Sequence, residues 1–190
     1  MKSQDETTSV WTLPNRLSLV RILFIPAIII LISRQNEQLR FVSCILFIIA
    51  GITDGLDGLI ARRMSMKTKL GVYLDPLADK LLISTVLIAL SCYGLVPLWV
   101  TVVMVSREFV INGLRSFYAG EGIIIYPSLA GKLKTTLQIV GIACVLFSPS
   151  RELGALFHTP GLLVIYASLC LSLYSAYKYI CAIFWPEAPG

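Results

Sequence analysis

Charge is scarce in this chain. Only 14% of its 190 residues are Asp, Glu, Lys or Arg, against about a quarter in an ordinary soluble domain. Hydrophobic residues make up 56%, and the mean hydropathy is +0.80. Nothing is left over for a sizeable soluble domain, and an integral membrane protein is expected. Histidine is almost missing, with His158 alone. The five cysteines (Cys44, Cys92, Cys144, Cys170, Cys181) lie far apart without a C-x-x-C pair. A disulfide framework and a cysteine/histidine zinc site are therefore both unexpected, and the cysteines read as small membrane-facing or packing residues. Internal repeats and low-complexity tracts are absent. The first twelve residues are polar and mildly acidic. They lack the basic segment and short apolar core of a cleaved signal, and the arginine-rich character of a transit sequence.

Six apolar stretches are present, at roughly 17–33, 41–60, 77–93, 95–115, 133–148 and 161–184. Each approaches the length of about 20 residues that a bilayer span needs. The expectation is an all-α polytopic protein of six transmembrane helices, one membrane domain over residues 1–190. Residues 1–12 would be a polar tail and 185–190 a frayed C-terminal tail. Leu13–Arg21 reads as a short interfacial helix before span one, and Pro26 predicts a kink within that span. All but three of the sixteen basic residues (Arg34, Arg40 and Arg151) fall on the side holding both termini and the 2–3 and 4–5 loops. By the positive-inside rule that side is cytoplasmic. The net charge of +5 suits anionic headgroups and phosphorylated substrates. With this hydropathy no nucleic-acid partner is expected.

Against that apolar background stand four aspartates in two pairs, Asp54/Asp57 and Asp75/Asp79. A charge at the centre of a membrane helix costs about 2.5–3.5 kcal/mol, so four bare carboxylates would oppose insertion by on the order of 10 kcal/mol. Such a cluster needs a bound cation or access to water. On a helix at about 100° per residue, Asp54, Asp57, Gly58, Ala61 and Arg62 share one face. Asp75 and Asp79, four residues apart, share a face of the next helix. Facing each other, these helices offer carboxylates for one or two hard cations, Mg²⁺ or Mn²⁺ in preference to zinc. Gly58 and Ala61 leave room for a bulky ligand, and Arg62 can pair with its phosphates. A diphosphate-containing substrate fits better than a bare transported ion. Close helix packing alone explains the small residues but leaves the aspartates without partners.

The pattern D-x-x-D-G-x-x-A-R-x8-G-x3-D-x3-D over residues 54–79 resembles the defining motif of the CDP-alcohol phosphotransferases, matching at every fixed position. That family transfers a phosphoalcohol group from a CDP-linked donor to an acceptor hydroxyl and releases CMP. The resemblance implies that Asp54, Asp57 and Asp75 bind one metal ion, and that Asp54, Asp75 and Asp79 bind a second. It implies that Asp79 is the general base, and that Asn15, Gly58, Ala61 and Arg62 bind the donor. It further implies a homodimer. A bacterial cytoplasmic membrane, with the active site facing the cytoplasm, is the expected home.

The acceptor is read from Ser106-Arg107-Glu108 through Arg115 and from Gly131-Lys132-Leu133-Lys134-Thr135. On a helix Arg107 and Arg115 lie along one side, two turns apart, whereas Lys132 and Lys134 point to opposite faces. An anion pocket drawing on these residues suits a phosphorylated acceptor, set against ordinary flanking charge with snorkelling side chains. Both stretches, and Pro14-Asn15-Arg16-Leu17-Ser18-x-x-Arg21, resemble the phosphatidylglycerophosphate synthase branch of the family. Serine stands at 18 where threonine is common. The branch implies CDP-diacylglycerol as donor and glycerol 3-phosphate as acceptor, in a direct displacement. Rivals within the family use phosphatidylglycerol (a cardiolipin synthase), inositol phosphate or serine. A membrane prenyltransferase would be expected to carry a D-D-x-x-D-like motif. A divalent-cation transporter would place acids mid-membrane on several spans, yet spans one, five and six have none in their interiors. His158 falls in the expected extracytoplasmic 5–6 loop as an incidental surface residue. Trp11, Trp99, Tyr177, Tyr179 and Trp185 read as interfacial aromatics.

Overall fold

The computed structural model describes residues 13–64, 69–120, 129–147 and 150–184, with side chains for 19–53, 77–118, 131, 133–147 and 150–183. Among the described residues there are six helices and no strand. They are α1 (Leu13–Ser33), α2 (Glu37–Met64), α3 (Lys69–Cys92), α4 (Leu98–Gly120), α5 (Leu129–Leu146) and α6 (Arg151–Phe184).

Local chemistry sets the turns at one end of the bundle. Asn36 caps α2, its Oδ1 accepting from the amides of Gln38 at 2.9 Å and Leu39 at 3.3 Å. Helix α3 closes in a Schellman motif: the Leu95 amide reaches the Leu90 carbonyl at 2.8 Å and the Gly94 amide reaches Ser91 at 3.1 Å. Gly94 has φ +70°, a conformation that suits a residue without Cβ. The Ser150 hydroxyl accepts from the Leu153 amide at 3.4 Å, starting α6. Connections this short make consecutive helices antiparallel neighbours.

Two boundaries differ from the sequence reading. Residues 13–33 form one helix, so the expected interfacial segment is the opening turns of α1, and Pro26 lies inside that helix. Helix α6 begins about ten residues before the sixth apolar stretch and runs through Pro160. His158 is consequently helical and half-buried, with Nε2 3.0 Å from the Leu95 carbonyl. It ties α6 to the α3–α4 turn, which corrects its reading as an incidental loop residue.

Helix α1 packs on both α2 and α3, α4 bridges α3 and α6, and α2 meets α5 and, more lightly, α3. The closest pairing is α5 with α6. A Cβ on Gly141 would lie 2.7 Å from Ile165 Cγ1 and 3.1 Å from the Ile165 amide nitrogen. One on Gly161 would lie 2.9 Å from the Val145 nitrogen. Two glycines thus bring the α5 and α6 backbones together, as small residues do between membrane helices. One core of Ile, Leu, Val and Phe residues runs through all six helices. Outside it, large apolar side chains such as Leu23, Leu98, Phe109, Leu156 and Leu163 are exposed. Among the described residues one helix, Arg151–Ile183, is long and apolar enough to cross a membrane, with shorter apolar helices at Leu19–Ser33 and Leu133–Leu146. The cysteines are free: Cys44 is buried and donates to the Ala143 carbonyl at 3.3 Å, while Cys92 and Cys170 are exposed.

The α5–α6 crossing sets a test. Gly161→Ala places a methyl against backbone, which no rotamer change relieves, and an overpacking cost of about 1–3 kcal/mol is expected. Gly51→Ala meets nothing within 4 Å and should leave stability level or slightly raised, as glycine is a poor helix former. Thermal unfolding in detergent reads both, and equal losses would refute the close-packing account.

Candidate active site

Asp54 and Asp57, with Gly58, Ala61 and Arg62, lie on the C-terminal part of α2, and Asp75 and Asp79 on the first half of α3. These two helices touch. The side chains of Asn15, Asp54, Asp57, Gly58, Ala61, Arg62, Asp75 and Lys132 lie outside the described residues, so the four-carboxylate cluster does too. Among the described residues no metal-binding group of three or more such side chains occurs.

Asp79 is half-buried and lines a cavity of about 20 Å³ with Lys80, Ser84, Glu108, Thr135 and Gln138. That is room for one water-sized group. Helices α3, α4 and α5 each contribute to its wall. Glu108 is the centre of the charge arrangement here. Its Oε1 accepts from Lys80 Nζ at 2.7 Å. Its Oε2 accepts from Arg107 at 3.1 Å and from Lys134 Nζ. Arg107 also donates from Nε to the Ser172 carbonyl of α6 at 3.0 Å. Side-chain exposure is 8% for both Arg107 and Lys134, but 26% for Lys80 and 21% for Glu108. Two cations are therefore pinned inside the bundle, and Lys80 and the carboxylate stand nearer its surface. A second cavity of about 240 Å³ opens beyond Lys80, lined also by Leu77, Phe109, Asn112 and Ser116.

Arg107 and Lys134, both expected in the acceptor pocket, are thus brought together. Arg115 is exposed and sits 5.7 Å above the Tyr179 ring, a cation–π contact. It shares with Arg107 the side of α4 facing α6, as their spacing predicts. Tyr179 itself is 9% exposed and packs with Ile111 and Ala176, which corrects its reading as an interfacial aromatic. Trp99 and Tyr177 are exposed, as that reading requires.

Sequence reasoning missed three participants. Glu108 was visible as an acid inside an apolar segment, which by itself marks a functional position. Lys80 passed as flanking charge. So did Arg21, which is 1% exposed and donates from Nε to the Ala50 carbonyl at 3.3 Å, one helical turn before Asp54. A buried arginine at that point ties α1 to the acidic end of α2.

Removing the hub should be costly. Glu108→Ala leaves Arg107 and Lys134 buried without their counter-charge, and an expected loss of about 3–5 kcal/mol follows. Lys80→Ala, at the more exposed rim, should cost about 0–1 kcal/mol. Thermal midpoints in detergent check the ordering, and equal effects would contradict the burial difference.

The chain is similar over most of its length to known proteins. The CDP-diacylglycerol–glycerol-3-phosphate 3-phosphatidyltransferase of Bacillus subtilis is 39% identical over 149 residues, covering 72% of this chain and 77% of the relative. The enzyme of the same name from Rickettsia typhi is 35% identical over 168 residues, 88% of this chain and 94% of the relative. A probable phosphatidylglycerophosphate synthase of Mycobacterium tuberculosis is 35% identical over 171 residues, 88% and 79% of the two chains. The sequence profile of the CDP-alcohol phosphatidyltransferases matches residues 11–174, a stretch that holds the acidic pairs of α2 and α3, Glu108 and its three cations. This chain belongs to the CDP-alcohol phosphatidyltransferase family.

Proposed function

We propose that the protein transfers the phosphatidyl group of CDP-diacylglycerol to sn-glycerol 3-phosphate, giving phosphatidylglycerophosphate and CMP. The observation that carries this reading is the gathering of Lys80, Arg107 and Lys134 around Glu108, which with Lys80 lines the cavity that Asp79 also lines. A general base beside concentrated positive charge suits an acceptor that has both a hydroxyl and a phosphate. The names of the relatives point to the same pair of substrates.

The donor set of Asp54, Asp57, Asp75 and Asp79 is all carboxylate, which fits two hard ions, Mg²⁺ or Mn²⁺. Asp79, the member whose side chain is described, is half-buried and faces a small cavity that Lys80, Ser84 and Glu108 also line, as a ligand open to substrate should be. Ions held there would neutralise the donor diphosphate and stabilise departing CMP. Asn15, Gly58, Ala61 and Arg62 would seat the donor, the last pairing with its phosphates. Arg107, Arg115, Lys132 and Lys134 would draw in the acceptor. The Asp79 carboxylate takes the proton of the acceptor hydroxyl as its oxygen bonds to the phosphatidyl phosphorus. The bond from that phosphorus to the bridging oxygen breaks, and CMP leaves with the electron pair.

In this reading all six helices span a bacterial cytoplasmic membrane, with both termini and the acidic ends of α2 and α3 on the cytoplasmic side. The enzyme works there as a homodimer.

Purified protein should release CMP in the presence of CDP-diacylglycerol, Mg²⁺ or Mn²⁺, and glycerol 3-phosphate. Chelation should abolish release, and phosphatidylglycerol, inositol phosphate or serine should not replace the acceptor. Asp79→Asn should lower kcat by about 10²–10⁴-fold while donor binding persists. Near-normal turnover in that variant removes the base assignment. Topology has its own check at Cys92, which is exposed at the α3–α4 turn. As the sole cysteine it should react with an impermeant maleimide from outside intact cells, and labelling only after lysis would invert the orientation.

A further inference from the structure

We propose that Glu108 is a positioning residue that holds Lys80, Arg107 and Lys134 as a three-cation cradle for the acceptor's phosphate, with Lys80 as a further phosphate contact. The inference rests on the proposed reaction and deepens it.

Three positive side chains do not gather in an apolar bundle unaided. Their mutual repulsion is large where water is thin, and each loses hydration on burial. Among the described residues Glu108 is the one group to which all three donate, two through Oε2 and one through Oε1. They come from separate helices, Lys80 from α3, Arg107 from α4 and Lys134 from α5. The carboxylate therefore fixes the relative position of three helices as well as three charges. It does not satisfy them. A lysine ammonium carries three donors and a guanidinium five, far more than two carboxylate oxygens accept. Three cations against one carboxylate also leave two positive charges in excess among these four side chains, with the Asp79 carboxylate beside them on the same cavity. A phosphate monoester carries about 1.5–2 negative charges near neutral pH, which matches that excess.

The exposure gradient gives the cradle a direction. Arg107 and Lys134 are pinned at 8% exposure, while Lys80 keeps 26%. Lys80 also lines both the small cavity beside Asp79 and the wider opening next to it. An incoming phosphate meets Lys80 first, and the neighbouring residue on the same helix is Asp79. A lysine that seats the phosphate of a small acceptor one position from the proposed base also sets how far the hydroxyl lies from that base.

Steady-state kinetics of the full-length protein in detergent, varying donor and acceptor separately, tests the assignment. Glu108→Gln keeps shape but removes the charge that holds the cations. Lys80→Gln removes the accessible cation without stranding a buried one, so it serves if Glu108→Gln does not fold. Each should raise the glycerol 3-phosphate KM about tenfold or more with the CDP-diacylglycerol KM within about twofold, and Glu108→Asp should fall between. An acceptor KM that stays level or drops overturns the proposal, since it would make Glu108 a competitor for the cations. Parallel loss on both substrates together with a lowered thermal midpoint also overturns it, in favour of a purely structural role. The functional reading fails separately, on the wild type, if another alcohol is the acceptor. The cradle is then judged on the KM of that alcohol and fails if it carries no phosphate. In Asp79→Asn, 10 mM-scale glycerol 3-phosphate should raise the thermal midpoint through ligand linkage. Adding Lys80→Gln should abolish that rise, and a rise that persists counts against the cradle.

Discussion

An ionised carboxylate inside an apolar bundle is tolerable only where cations surround it, and Glu108 is where this protein meets that condition. Removing either partner of such an arrangement costs more than the arrangement itself contributes, because the survivor is left as a bare charge in poor solvent. The network therefore acts as a registration device. Lys80 and Lys134 can both reach Glu108 only when α3 and α5 flank α4 at the right height and rotation. Arg107 extends the same registration to α6 through the Ser172 carbonyl. Four helices are thus aligned by one charged residue and its partners. The remaining two are aligned at the other acidic site, where buried Arg21 of α1 reaches the Ala50 carbonyl of α2.

The opposite end of the bundle is built by different means. There the packing is glycine-mediated between α5 and α6, and aromatic where Phe147 stands edge-on to Phe41 at 5.5 Å and Phe157 at 4.8 Å. Short polar devices finish the turns, such as the 2.6 Å hydroxyl pair of Ser91 and Thr101 between α3 and α4. Apolar contact and close backbone approach suit a region that only has to stay closed. On the proposed reading the charged end has to admit a substrate with phosphates, and Lys80 there remains partly open. Exposed Leu, Ile and Phe residues around the outside complete the contrast with this polar interior. That is the pattern expected where lipid is the outer solvent and ionisable groups face inward.

Much of this was legible in the sequence because it is local. The six apolar runs map onto six helices for that reason. The caps at Asn36, Gly94 and Ser150 are local chemistry too, although the sequence reading did not single them out. What escaped depended on partners distant in sequence. Lys80 and Arg21 looked like flanking charge because nothing in their neighbours reveals that Glu108 or Ala50 sits across the helix interface. Tyr179 looked interfacial because its position near a span end is visible and its contact with Arg115 is not. Helix α6 was begun too late because Arg151, Glu152, His158 and Pro160 read as a polar, broken loop. In the fold, the Ser150 cap starts the helix, His158 finds the Leu95 carbonyl, and the helix continues through the proline.

The charge excess also bears on which acceptor the site favours. A phosphate monoester brings up to two negative charges to the cluster. The phosphodiester of phosphatidylglycerol brings one, and zwitterionic serine brings none in net. Each unit of charge near such a cluster is worth about 1 kcal/mol in water-like surroundings and about 4 kcal/mol near a protein surface. Because Lys80 and Glu108 are partly exposed, the lower part of that range applies. Even there, losing one charge costs roughly fivefold to tenfold in binding, and losing two compounds it. Hydroxyl chemistry is common to all these acceptors, so the proton transfer proposed at Asp79 does not separate them. On the proposed reading, discrimination falls to the cations around Glu108, whose net positive charge favours the acceptor that brings the most negative charge.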